Sequence, residues 1–273
     1  MKVAAIQMAS GSIIKGNLLE ADKLISRAVA DGAELIVLPE NFGMIGVKQE
    51  DVIEFREQPG QGVLQDFLSK QSALHQVYIA GGTIPLVSDD DQHYRNSLML
   101  YNPQGENIAR YDKIHLFDVS LPDDNEKHSE SAVIQPGNDV VVVDIGSVKL
   151  GLAICYDLRF PELFRRLVNK GAEVILLPSA FTAATGKAHW HTLVKARAIE
   201  NLSFVIASAQ GGYHVNGRET YGHSLIVDPW GNVLDEIESG SGYAISNIDL
   251  SQQQKFREGF PVLTHRKFFC SPK

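Results

Sequence analysis

At 273 residues, with 44% hydrophobic and 21% charged side chains, the chain can bury a sizeable core. A formal net charge of -8 and the absence of any basic run exclude nucleic acid as an expected partner. No stretch is long and apolar enough to span a bilayer or serve as a secretory signal, and two cysteines, Cys155 and Cys270, make no disulfide framework, so a cytoplasmic setting is expected.

Residues 2–8, KVAAIQM, read as a first strand. An amphipathic helix carrying Leu18, Leu24, Ile25, Ala28 and Val29 follows, and then a strand within DGAELIVLPENF, residues 31–42. NSLMLYNPQGENIARYD sets Asn-Pro-Gln-Gly between two apolar runs, a hairpin signal. Residues 118–132, DVSLPDDNEKHSESA, are polar enough for a substantial loop. VVVVDIGSVKLGLAI turns at Gly146 into a strand that ends at Cys155. Pro161 suits the first turn of a helix in PELFRRLVNK, and KGAEVILLPSAF, residues 170–181, is again a strand. A helix is expected over Gly186 to Asn201, with Trp190, Leu193, Val194, Ala198 and Ile199 on its apolar period. HSLIVDPWGNVLDEI gives another hairpin, turning at Pro229 to Gly231.

DGAELIVLPENF and KGAEVILLPSAF share a Gly-Ala-Glu, an aliphatic run, a Leu-Pro and a Phe, too much agreement for chance. Each follows an amphipathic helix and an apolar strand, so a strand, helix, strand unit with parallel strands occurs twice. With no linker between them, the halves read as one α/β domain over residues 1–273, two sheets packed on each other with helices outside.

Ligand sites in such sheets gather at the carboxyl ends of strands, where three residues stand out. Cys155 is either buried filling or a nucleophile whose pKa the following helix N-terminus lowers. Glu40, flanked by Leu38, Pro39 and Phe42, is either an ordinary loop carboxylate or a poorly solvated general base. Lys113, at the end of a hairpin strand, is either solvated or a cation beside the thiol that holds an oxyanion. Nine histidines offer a rival, but none carries a specific signal, and His189 and His191 lie two apart on a helix and so face different sides, which speaks against a metal site. HVNGRETYGHS, residues 214–224, reads as a pocket loop.

LPEN around Glu40, YDKIHLFD around Lys113 and CYDLRFPE around Cys155, in that order over nearly the whole chain, resemble the nitrilase superfamily of carbon–nitrogen hydrolases. The resemblance implies a four-layer α-β-β-α sandwich with an internal pseudo-two-fold repeat, a catalytic Glu40, Lys113 and Cys155, no cofactor, and a homodimer or higher homo-oligomer. KHSESAVIQPG matches the loop that supplies a second glutamate in this family, which falls on Glu130 as a supporting residue. With the Tyr156 N–H as a further oxyanion donor, these residues imply thiol amidase chemistry through a cysteine thioester.

PSAFTAATGKAHWHTLVKARAIEN, ASAQGGYHVNGRETYGHSLIVDPWG and HLFDVSLPD are similar to the branch that hydrolyses deaminated glutathione to 2-oxoglutarate and cysteinylglycine. A neighbouring branch, the omega-amidases acting on 2-oxoglutaramate, shares the catalytic motifs, and another small amide or carbamoyl substrate also stays open. Both named substrates present a 2-oxo acid carboxylate, so a buried cation is expected. Arg159 is the candidate, the alternative being an ion pair with Asp157 or Glu162 that holds the turn; Thr182, Thr185 and Tyr221 join it as candidate substrate-binding residues. A nitrilase-like binding module with a dead site is the reading outside enzymes.

Overall fold

In the computed structural model, which describes residues 1–120 and 127–268, strand β1 (Lys2–Gln7) leads through helix α1 (Ile14–Ala30) to β2 (Leu35–Val37). Helix α2 (Val63–His75), β3 (Tyr78–Ala80), β4 (Ile84–Val87), β5 (Tyr94–Tyr101) and β6 (Asn107–Asp112) complete the first half. A two-stranded ribbon of β7 (Asp118–Ser120) and β8 (Lys127–Ser129) stands where the sequence suggested only a loop. The second half runs β9 (Val142–Asp144), β10 (Lys149–Leu152), α3 (Pro161–Asn169), β11 (Val174–Ser179), α4 (Ala183–Asn201) and β12 (Phe204–Ala209). It closes with the ribbon β13 (Gly211–Tyr213) and β14 (Glu219–Tyr221), then β15 (Ser224–Val227) and β16 (Val233–Ile237). Strand β17 (Gly242–Asn247) returns to the first sheet, and α5 (Leu250–Gly259) follows; Cys270 lies outside the described residues.

The shared Gly-Ala-Glu serves the same purpose in both halves. Gly32 and Gly171 take φ of 90° and 96° just past the ends of α1 and α3, a conformation open to glycine. Two residues on, Glu34 accepts the Lys2 N–H at 2.7 Å and Glu173 accepts the Lys149 N–H at 2.9 Å, which ties each returning strand to the one before it. The two hairpin turns repeat as well. Asn102 Oδ1 accepts the N–H groups of Gln104 and Glu106, and Asp228 Oδ1 those of Trp230 and Asn232, so one Asx-capped turn shapes both.

The sheets therefore match. One is ordered β17-β1-β2-β3-β5-β4, with β6 also on β5, and the other β9-β10-β11-β12-β15-β16. Each holds three parallel strands between antiparallel neighbours. Along β1, Val3 and Ala5 face the second sheet while Ala4 and Ile6 pack under α1 and α2, the period-two pattern of a strand buried on both faces. Helices α3 and α4 cover the outer face of the second sheet through Phe164, Leu167, Trp190 and Val194. The result is the expected four-layer α-β-β-α sandwich with a two-fold repeat.

Helix α4 ends at Asn201 as expected but differs from the sequence expectation at its start and at one side chain. It starts at Ala183 rather than Gly186, because Thr182 Oγ1 accepts the Thr185 N–H and caps it. Ile199, expected in the core, is 46% exposed and packs beside the Gly231 turn.

Candidate active site

Glu40 follows β2 in a turn pinned from three directions. The Asn41 N–H donates to Thr83 Oγ1 at 2.8 Å, Gln210 Nε2 donates to the Glu40 carbonyl at 3.0 Å, and Gly82 passes beneath the loop. At Gly82, whose φ is 52°, a Cβ would lie 2.0 Å from the Pro39 carbonyl oxygen, so only glycine permits this approach. Lys113 leaves the end of β6 fully buried, and its Nζ donates to Glu40 Oε1 at 2.9 Å and meets Glu130 Oε2 at 2.8 Å. Glu130, carried in the turn after β8, also accepts the Phe117 N–H at 2.7 Å. Burial opposes the charged form of Lys113, but Glu130 and Glu40 outweigh it and hold the ammonium well above the usual lysine range. Asn96 Nδ2 completes the set by donating to Glu40 Oε1 at 3.1 Å.

Cys155 starts a tight turn, Cys155–Arg159, after β10, with φ of 45°, a left-handed conformation a non-glycine residue adopts only under constraint. The constraint is Asp157, wholly buried. Its carboxylate accepts from the Ile154 N–H at 2.8 Å, the Tyr111 hydroxyl at 2.7 Å and the His115 N–H at 3.2 Å, with the His115 ring at 2.7 Å. Sequence reasoning gave Asp157 only a possible pairing with Arg159, and the structure assigns it elsewhere.

The thiol itself departs from one expectation. Burial, and then the Glu40 carboxylate, push Cys155 well above the usual cysteine range, outweighing Lys113 and a hydrogen bond from the Ala180 backbone. The five-residue turn separates Cys155 from α3, so no long helix dipole acts on the sulfur. Two carboxylates around one ammonium already leave a surplus of negative charge, and a thiolate would add to it.

The thiol opens on a narrow slot lined by Glu40, Tyr156, Arg159, Phe181, Thr182, Thr185 and Arg218. Arg159 has its guanidinium over the Tyr156 and Phe181 rings, 5.8 and 5.3 Å from their centroids, with Nη1 3.2 Å from His189 Nδ1. Thr182 and Thr185 face each other, their hydroxyls 2.8 Å apart. Tyr221 is not in the wall: it stacks on His223 at 4.1 Å and packs against Gly186 of α4, where a Cβ would clash with it. Its signal in the sequence, a hydroxyl in a loop, does not separate lining from packing.

Beyond Asn41, Phe117, Glu130 and Arg218, which border both spaces, the slot widens into a chamber of about 350 Å³. Arg218, absent from the sequence candidates, donates from Nη2 to the Ala180 carbonyl at 2.6 Å, a contact between residues too far apart in the chain to leave a local signature. His189 and His191 do face apart, as expected. His191 and His223 instead meet Glu236, whose Oε1 lies 2.8 and 2.6 Å from their ring nitrogens. Burial would raise Glu236, but these hydrogen bonds hold it below the usual carboxylate range. Among the described residues this is the one cluster with the donor set of a metal site, and it is closed by its own hydrogen bonds.

The sequence matches the family described as carbon-nitrogen hydrolase over residues 2–258. The chain belongs to that family. Among its relatives, a deaminated glutathione amidase from Synechocystis sp. is 43% identical over 270 residues, covering 97% of both chains. One of the same name from Dictyostelium discoideum is 39% identical, covering 96% of this chain and 92% of the relative. Among solved structures, Saccharomyces cerevisiae Nit3, a member of branch 10 of the nitrilase superfamily, superimposes with a TM-score of 0.88 at 31% identity, covering 98% of this chain and 97% of that one. This carbon–nitrogen hydrolase has no helix among its described residues long and apolar enough to cross a membrane.

Proposed function

We propose that the protein hydrolyses the amide of deaminated glutathione, releasing 2-oxoglutarate and cysteinylglycine through a thioester on Cys155. The observation that carries the chemistry is the pairing of a protonated, buried thiol with a carboxylate beside it. The substrate reading is supported by relatives named deaminated glutathione amidase that are 43% and 39% identical over nearly the full length.

Glu40 acts as the base. Lys113 and Asn96 both bond its Oε1, which leaves Oε2 to take the thiol proton as Sγ attacks the carbonyl. The ammonium of Lys113 and the N–H of Tyr156 hold the tetrahedral oxyanion, each such donor contributing about 3 to 4 kcal/mol. Glu40 returns its proton to the departing amine, and the same carboxylate then activates the water that releases 2-oxoglutarate. Glu130, locked on Lys113 and the Phe117 N–H, keeps the ammonium in place. Arg159, with no carboxylate of its own among the described residues, meets the 2-oxo acid carboxylate, and Thr182 and Thr185 flank it. No step calls for a cofactor.

The deciding experiment compares kcat/KM on deaminated glutathione and 2-oxoglutaramate, with Cys155→Ala as the blank. Preference for deaminated glutathione by orders of magnitude is expected; preference for 2-oxoglutaramate makes the protein an omega-amidase, and a trapped acyl-enzyme separates either from a binding module. We further place the protein in a reducing cytoplasm, which suits a free nucleophilic thiol. A homodimer is supported by the apolar groove that the exposed Leu19, Phe55 and Val63 line with Ile14, Leu18 and Phe67, and its mass in solution tests it.

A further inference from the structure

Hydrolysis of the proposed substrate releases two unlike fragments: a thin acyl chain, and a branched amine that itself ends in a carboxylate. The slot at Cys155 is narrow and already holds Arg159 for the acyl end. The adjoining chamber of about 350 Å³ has no part in the chemistry described so far.

Its polar groups are distinctive. Asn96, 2% exposed, turns its NH2 to Glu40 Oε1, and because a carboxylate can only accept, Oδ1 must point the other way. That oxygen is buried and has no partner, and Asn96 lines the chamber. Arg218 Nε is likewise buried and unpaired, although Nη2 is held by the Ala180 carbonyl. A buried polar atom without a partner is destabilising, and a ligand bonded there removes that cost. Farther out, the exposed Lys48 lines the chamber with Asn216 and His128. Glu130 also borders it, but its carboxylate is committed to Lys113 and the Phe117 N–H. In a chain of net charge -8, the chamber thus presents an unfilled acceptor whose own amide holds Glu40, and two cationic side chains, Arg218 at its border with the slot and Lys48 in its wall.

We propose that this chamber is the leaving-group site, built for an amine that carries a carboxylate. Asn96 Oδ1 accepts the N–H of the scissile amide and then of the freed amine, Arg218 Nε donates to the leaving group's peptide carbonyl, and Lys48 meets its terminal carboxylate. The assignment rests on the substrate reading above. It explains how the chain distinguishes deaminated glutathione from 2-oxoglutaramate: the two share the acyl half, and only the former has a group to place in the chamber.

The test is the ratio of kcat/KM for deaminated glutathione to that for 2-oxoglutaramate in wild type and in Lys48→Ala, a surface substitution that removes no buried contact. A ten-fold or greater fall in the ratio is expected, expressed in KM for deaminated glutathione. It should be absent for the analogue whose glycine carboxylate is an amide. A ratio within two-fold of wild type, with robust wild-type turnover of deaminated glutathione, overturns the leaving-group assignment alone. Wild-type turnover of 2-oxoglutaramate with none of deaminated glutathione overturns the substrate reading and this assignment with it.

Discussion

Lys113 can hold its charge in full burial because two carboxylates close on it, while burial and then the Glu40 carboxylate hold the Cys155 thiol above the usual cysteine range. Two outcomes follow at this scale. Cys155→Ala should abolish turnover with its melting temperature within a few degrees of wild type, since the change removes one buried sulfur. Glu40→Gln should lose at least a hundred-fold in acylation measured by single turnover, because an amide keeps the hydrogen bonds and cannot take the proton. Glu40, Lys113 and Cys155 were legible because each sits inside a local motif at a strand end. Asp157, Asn96 and Arg218 were not, because their meaning lies in partners far along the chain: Asn96 is 56 residues from Glu40. The lowering that one reading of Cys155 expected from the following helix does not occur, because a helix start is visible in sequence and the depth of the thiol's burial is not.

Among the elements, the turn after β3 shows how a strand connection places a side chain. Gly82→Ala puts a methyl group against the Pro39 carbonyl at a backbone angle that favours glycine, where the left-handed conformation alone costs an L-residue about 1 to 2 kcal/mol. We expect a lower melting temperature together with a fall in kcat, because relief of the clash moves Glu40. Thermal denaturation and steady-state kinetics on the same preparation check both. The repeated strands, helices and Asx turns were readable from apolar period and punctuation. The ribbon of β7 and β8 was not, because its strands are three residues each and carry no alternation, and the start of α4 depended on a cap that only the folded Thr182 reveals.

Over the whole molecule, the halves are joined by polar bonds as well as by the packed sheets. Gln210 reaches Ser10 and the Glu40 carbonyl, and His214 lies between the Ser10 carbonyl and the Thr220 hydroxyl at 2.9 and 2.7 Å. The carbonyl requires Nδ1 to donate, so the neutral ring accepts from Thr220 at Nε2. Burial holds His214 below the usual histidine range. The unfolded chain therefore binds this proton at higher pH than the folded one. Its contribution to stability is complete above about pH 6.5 and is lost as the pH falls through that value and the lower folded one. Melting temperatures between pH 7.5 and 5 should fall, and less steeply in His214→Gln. The two-fold repeat also sets a stoichiometry. In the register shared by the halves, Glu40 corresponds to Ser179 and Cys155 to Met8, so the mirror position has neither base nor nucleophile. A doubled scaffold thus carries a single reactive centre, and active-site titration should count one acyl group per chain.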